Sequence, residues 1–163
     1  KVKENWNKIV IENKLDQYVD TTVTTTEIEN SRTSIVLANT LLQAGRLRVE
    51  KGAIFKGNRI FINGSSTLRI DDAKVVNIDN KGNIDKYSFV EVGTGATLEI
   101  LGHSTIEGGT LKFSDASNWN VHLTTDNVGN SNAALTLKDC LMNIKGNLTL
   151  TLSLSGSNFT EPF

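Results

Sequence analysis

Apolar triplets recur along the chain, each set off by polar and turn-forming residues. The clearest are Ile9-Val10-Ile11, Ile35-Val36-Leu37 and Ile60-Phe61-Ile62, with Asn13, Asn39 and Asn63 close behind them. Weaker echoes follow at Val90-Glu91-Val92, Val121-His122-Leu123 and Leu148-Thr149-Leu150. The triplets thus open at Ile9, Ile35, Ile60, Val90, Val121 and Leu148, at nearly even spacing. A near-constant period of this size predicts stacked windings of a single chain.

Between the triplets the apolar residues alternate with polar ones: Leu47 and Val49, Leu68 and Ile70, Leu98 and Ile100, Leu135 and Leu137. A period of two is the strand signal, with one face inward and one outward. The third repeat predicts strands at Ile60–Ile62, Leu68–Ile70 and Val75–Ile78. In the fourth, both Ser104–Ile106 and Thr110–Phe113 fit the third strand. Only Asn13 to Tyr18 suggests even one helical turn.

The repeats align on one another. Laid over the second, the first repeat puts Val23 on Val49 and Ile28 on Ile54. Laid over the fourth, the third puts Ile60, Ile62, Thr67, Leu68 and Ile70 on Val90, Val92, Thr97, Leu98 and Ile100. The expected fold is all-β, a single-chain parallel β-helix (β-solenoid) of about five to six coils with three short strands each. One coil cannot bury its inner face alone, so neighbours stack and share a core. The expected boundaries are a tail or cap over 1–8, the solenoid over 9–155, and a tail or linker over 156–163.

Over Ile9 to Leu154 this pattern of period and strands resembles the right-handed parallel β-helix superfamily, which includes pectate-lyase-like enzymes, phage tailspikes and bacterial surface adhesins. The resemblance implies the architecture. It rests on no signature motif, so it does not choose among those activities.

Asn13, Asn39 and Asn63 are expected to tolerate left-handed corners and to stack as an amide ladder. Glycines such as Gly64, Gly95 and Gly102 fit the corners, and none belongs to a phosphate-binding loop.

Net charge is −1 and charges of both signs are interspersed, which gives no electrostatic case for nucleic acid or an anionic membrane. No apolar run approaches the length of a membrane span. Cys140 is the single cysteine, so no internal disulfide forms. Lys1 stands in place of an initiator Met without a signal-peptide pattern, which leads us to expect an excised piece.

Candidate chemistry is sparse. Asp71-Asp72 and Asp139 are expected in one corner column, with Gly102 between them, which reads as solvated turns and not as a metal site. His103 is expected in the column of Ala73 and Cys140, as a corner histidine beside a buried thiol. Two histidines and one cysteine make no zinc set, and no cofactor is expected. The threonines around Thr22 and Thr25 do not recur in one column, so ordinary strand propensity accounts for them. Outward Arg69 and Glu99 are expected to form an exposed ion pair, worth about 0–1 kcal/mol. No pair of acids suits glycoside chemistry.

Two surface features remain. Val10, Val36 and Phe61 hold the outward centre of the first strand, an apolar stripe for a partner or a second subunit unless the amino-terminal tail, with Trp6, covers it. Trp119 lies in an irregular region from Phe113 to Asn132, where it either stacks on a sugar or pins the loop to the wall. The functional expectation is a non-enzymatic structural or adhesive module of a larger surface, secreted or virion protein. Its partner would be a glycan or a protein, and its stripe or coil ends would allow self-association. The alternative is a fragment of a polysaccharide lyase or glycoside hydrolase.

Overall fold

The alternation becomes three long sheets in the computed structural model, which describes residues 2–4, 8–11, 20–23, 27–29, 39–42, 45–50, 52–79, 81–124, 127 and 133–154, with side chains described from Leu42 onward. The chain visits the sheets in rotation. The first holds β2 (Lys8–Ile11), β5 (Asn39–Leu42), β8 (Ile60–Ile62), β11 (Phe89–Val92), β14 (Thr110–Phe113) and β17 (Leu141–Ile144). The second holds β3 (Asp20–Val23), β6 (Arg46–Glu50), β9 (Thr67–Asp71), β12 (Thr97–Leu101), β15 (Ser117–Leu123) and β18 (Leu148–Leu154). The third holds β4 (Glu27–Glu29), β7 (Ile54–Gly57), β10 (Lys74–Asn77), β13 (Ser104–Glu107) and β16 (Leu135–Lys138). Each pairs in parallel with its equivalent one winding on. β1 (Val2–Glu4) alone runs antiparallel, along the free edge of β2. Five windings result, and β17 and β18 begin a sixth. The chain is a parallel β-helix.

The windings differ in length. Along the first sheet the stacked column runs Ile9, Thr40, Ile60, Val90, Leu111, Met142, so that long and short windings alternate. The stretches from Thr40 to Ile60 and from Val90 to Leu111 are bare windings, all strand and corner. Two longer ones carry their excess as loops, one between β10 and β11 and one between β15 and β16.

Burial follows the alternation. β6, β9 and β12 each expose alternate residues and bury those between. Their columns Leu47–Leu68–Leu98 and Val49–Ile70–Ile100 are wholly buried, as are Ile60–Val90–Leu111 of the first sheet. Phe55, Val75 and Ile106 close the core from the third sheet. Strand rows about 4.8 Å apart put like side chains in direct contact. Each such side chain contributes about 1.5–3 kcal/mol of burial.

The corners use serine. Ser66, Ser104 and Ser117 are all buried, and each hydroxyl donates to the carbonyl three residues back: Asn63, Leu101 (3.0 Å) and Ser114 (2.7 Å). Ser104 Oγ also reaches the Ile70 carbonyl of the winding below at 3.2 Å. Gly109 is held at φ 60°, and a Cβ there would collide with the Ser88 carbonyl of the facing chain.

The alignment of the third repeat with the fourth holds at every residue named for it, and Val23 does stack on Val49. Ile28 pairs one residue later, with Phe55. Other expectations are corrected. The second winding's strand in the first sheet is Asn39–Leu42, and the expected Ile35–Leu37 lies outside the described residues. Thr110–Phe113 opens the fifth winding and only Ser104–Glu107 is the fourth winding's third strand. Val121–Leu123 and Leu148–Leu150 therefore belong to the second sheet, and Leu135–Leu137 to the third. Asn39 and Asn63 do not stack: Asn39 opens β5 opposite Lys8, whereas Asn63 follows Ile62, whose partner is Leu42 at the other end of that strand. Asn13 and the suggested turn to Tyr18 lie outside the described residues, as does Val36.

Candidate functional site

The outward face of the second sheet carries the densest charge. Parallel register places Arg48, Arg69, Glu99 and Asn120 in one column and Glu50, Asp71, Leu101 and His122 in the next. Arg69 lies 3.7 Å from Glu99 of the next winding, the contact expected from the sequence, and 4.0 Å from Asp71 on its own strand. Glu99 in turn receives His122 Nε2 at 2.8 Å from the winding beyond. Arg48 and Glu50 approach at 3.8 Å. The result is a chain of polar side chains, Asp71–Arg69–Glu99–His122, that ties three windings laterally. A carboxylate clamped between a guanidinium and an imidazole can accept hydrogen bonds. Proton transfer to a substrate is a poorer fit, because the cation sits where the second acid of a glycosidase pair would be needed.

The third sheet offers concavity. The loop between β10 and β11 folds back through an antiparallel bridge of Ile78 with Ile84. Its shape comes from short polar side chains bonding their own backbone. Asp79 Oδ1 accepts from the amides of Lys81 (2.8 Å) and Asn83 (3.0 Å), and Asp85 Oδ1 accepts from Tyr87 (3.0 Å). The loop stands beside the outward residues of the sheet and makes an open cleft of about 460 Å³. Ile54, Val76 and Ile84 line it with Lys56, Lys74 and Glu107.

Glu107 is the electrostatic centre of that cleft. It is only 7% exposed, yet its carboxylate meets Lys74 at 2.6 Å and Lys138 at 3.5 Å. The hydrogen bond from Lys74 leads, with the charges of both lysines behind it, in holding its pKa below the ordinary value of 4.5 against the opposing effect of burial. Beneath it, buried Asn77 donates through Nδ2 to the Gly108 carbonyl at 2.8 Å. An ionised acid beside two ammonium groups, over an apolar floor, can hold a ligand rich in hydroxyl or charged groups. Neither the cleft nor Glu107 stood out in the sequence. The one signal was the long stretch from Ile60 to Val90, beside the bare winding from Thr40 to Ile60.

Trp119 lies inside β15, not in a loop. It shares the inward register of Leu98, and its ring stacks on Phe113 with centroids 5.3 Å apart. One face of the indole is thereby covered. Phe61 keeps its outward place, between Leu41 and Glu91 in register, and its ring meets Phe89 edge-on at 5.2 Å. Lys112 Nζ sits 3.9 Å from the Phe89 centroid, a cation over the same aromatic pair. Val10 shares the register of Leu41, so Leu41 stands in the column where Val36 was expected. β1 lies beside β2 in the plane of the sheet, with Lys3 opposite Val10.

The expected His103–Cys140 column does not form. His103 precedes Ser104, whose partner is Leu135, so it aligns with Ala134. Cys140 precedes Leu141, whose partner is Thr110, and so aligns with Gly109. Asp139 likewise aligns with Gly108, while Asp72 faces Gly102. Burial pushes the Cys140 thiol up to about 11, which leaves it protonated at neutral pH. His103 Nδ1 lies 3.2 Å from the Ala133 carbonyl, and Asn127 Nδ2 donates to Gly102 at 3.1 Å; both tie the second loop to its corner. Among the described residues no three His, Cys, Asp or Glu side chains are grouped to hold a metal ion, and no helix is long and apolar enough to cross a membrane. Comparison with protein-family models, with curated proteins and with solved structures finds no match to this chain.

Proposed function

We propose that this chain is a non-enzymatic spacing and display module of a larger surface, secreted or virion protein, with the cleft between the third sheet and the Asp79–Ser88 loop as its contact point for glycans. The observation that carries the reading is the use made of outward carboxylates. Glu99 is held by Arg69 and His122, and Glu107 by Lys74 and Lys138, each of these partners coming from a neighbouring winding. The charges act as rungs between windings, and the solenoid is a rigid spacer as a consequence. The likeness to pectate-lyase-like proteins is then one of winding, with the chemistry left out.

The rival reading is a polysaccharide-degrading enzyme. Its best support is the 2.8 Å contact of His122 with Glu99 beside Arg69. One experiment separates the two. The protein is incubated with a panel of neutral and acidic polysaccharides while reducing ends and unsaturated uronate products are followed, and glycan-array binding is measured in parallel. Display predicts no product at any pH, and array binding that weakens at least tenfold in Lys74→Ala. Turnover that disappears in Glu99→Gln would install the enzyme reading instead.

A further inference from the structure

On the second and third sheets the outward carboxylates meet cations of their own chain. Glu50 faces Arg48, Asp71 and Glu99 face Arg69, and Glu107 is held by Lys74 and Lys138. The first sheet departs from that pattern. Glu91 lies beside Lys112 in register, as Glu99 lies beside Arg69, so the same lateral pair is available there. It is not made. The Lys112 amine sits instead over the Phe89 ring, 3.9 Å from its centroid. Among the described residues the Glu91 carboxylate has no ion pair or hydrogen bond, and neither has the guanidinium of Arg59, an exposed residue just ahead of β8.

These two charges frame the aromatic pair. Glu91 is the register partner of Phe61. Arg59 precedes Ile60, whose partner is Val90, so Arg59 stands beside Phe89. The four positions make a lozenge on two adjacent windings in the middle of the stack, with β5 paired on one side and β14 on the other. Phe61 and Phe89 hold one diagonal, their rings edge-on at 5.2 Å, and Arg59 and Glu91 hold the other. A twofold axis laid in the face along the ring diagonal exchanges the charged corners. It brings Arg59 of each copy to Glu91 of the other and sets ring against ring. That is the self-complementarity an isologous contact requires. Aromatic and arginine side chains are also those that dominate the energetics of protein contacts. A neutral ligand on the rings would leave both charges unmatched, whereas a second copy matches both at once.

We propose that this face of the first sheet docks a second copy of the chain, through reciprocal Arg59–Glu91 pairs around the Phe61 and Phe89 rings. The inference is independent of the cleft and of any glycan role. It is tested on the full chain by sedimentation velocity from low to high micromolar concentration, under reducing conditions. The expected result is a reversible dimer of two 17.8 kDa chains. Arg59→Glu and Glu91→Arg each set like charges against one another across the contact, and each is expected to weaken association by about tenfold or more. Mixing the two variants puts opposite charges back in register, and is expected to restore a dimer containing one chain of each. Rescue by mixing is a result that misfolding of either variant cannot imitate. A chain that stays monomeric at every concentration, a dimer indifferent to both variants, or a mixture that associates no better than its components would overturn the proposal.

Discussion

Leu68 and Leu150 occupy one column of the second sheet, three windings apart, with the same strand geometry and the same inward position. Leu68 is fully buried; Leu150 is 51% exposed. Nothing local distinguishes the two. Inner and terminal windings alike are short strands of alternating apolar and polar residues joined by tight corners. The difference is whether another winding lies on both sides. Stability in such a stack is close to a sum of winding-to-winding interfaces, so an inner leucine counts twice and a terminal one once.

The sharpest way to break that comparison is a matched pair of truncations. Leu98→Ala should cost roughly 2–5 kcal/mol, the range for emptying a packed core site. Leu152→Ala, on a side chain 59% exposed, should cost about 1 kcal/mol or less at protein concentrations that keep the chain monomeric. Urea denaturation measures both, and equal costs would show that the terminal winding is covered in the monomer.

A smaller contrast lies in the corners. Ser104→Ala removes a buried hydroxyl that bonds its own corner and the winding below, and should lose about 1–2 kcal/mol. Ser153→Ala, outward on β18, should stay within about 0.5 kcal/mol. The same denaturation experiment reads the difference.

The smallest effect is one of pH. The folded-state pKa of Glu107 is depressed, so its contribution to stability is complete above the ordinary value of 4.5 and is lost as pH falls below that value toward the folded-state pKa. Glu107→Gln should therefore flatten the acid limb of the stability profile and leave its shape unchanged above neutrality. Thermal unfolding across pH 3 to 7 at about 0.1 M salt checks the sign. An unchanged acid limb would place the acid sensitivity elsewhere.

How much of this could be read beforehand follows from what each pattern encodes. The match of Leu68 with Leu98 was legible because the two windings share the step from first strand to second, Ile60 to Leu68 and Val90 to Leu98, and side-chain size. The match of Leu98 with Trp119 was not, since there a short winding follows a long one. A period of two looks the same in every sheet, so Val121-His122-Leu123 gave no sign of which sheet it joins. Trp119 looked like a loop residue because Asn118 and Asn120 flank it. In a strand those asparagines simply face outward while the indole turns in toward Phe113. The Arg69–Glu99 contact was visible because it needs only register. The cleft was not, because its lining comes from β7, β10, β13 and a loop, brought together only by winding. The corner serines hid for another reason. Serine before a strand suggests a solvated turn, whereas Ser66, Ser104 and Ser117 are buried plugs.

The unequal windings separate reach from ornament. Each winding raises the axis by one strand spacing, about 4.8 Å. That rise is the same for the short path from Thr40 to Ile60 and the long one from Leu111 to Met142. Contour length is therefore a poor gauge of how far this molecule extends. An insertion at the Asp79–Ser88 corner would enlarge its outline and leave its height untouched, so a lineage can remodel the side wall freely without recalibrating the ruler.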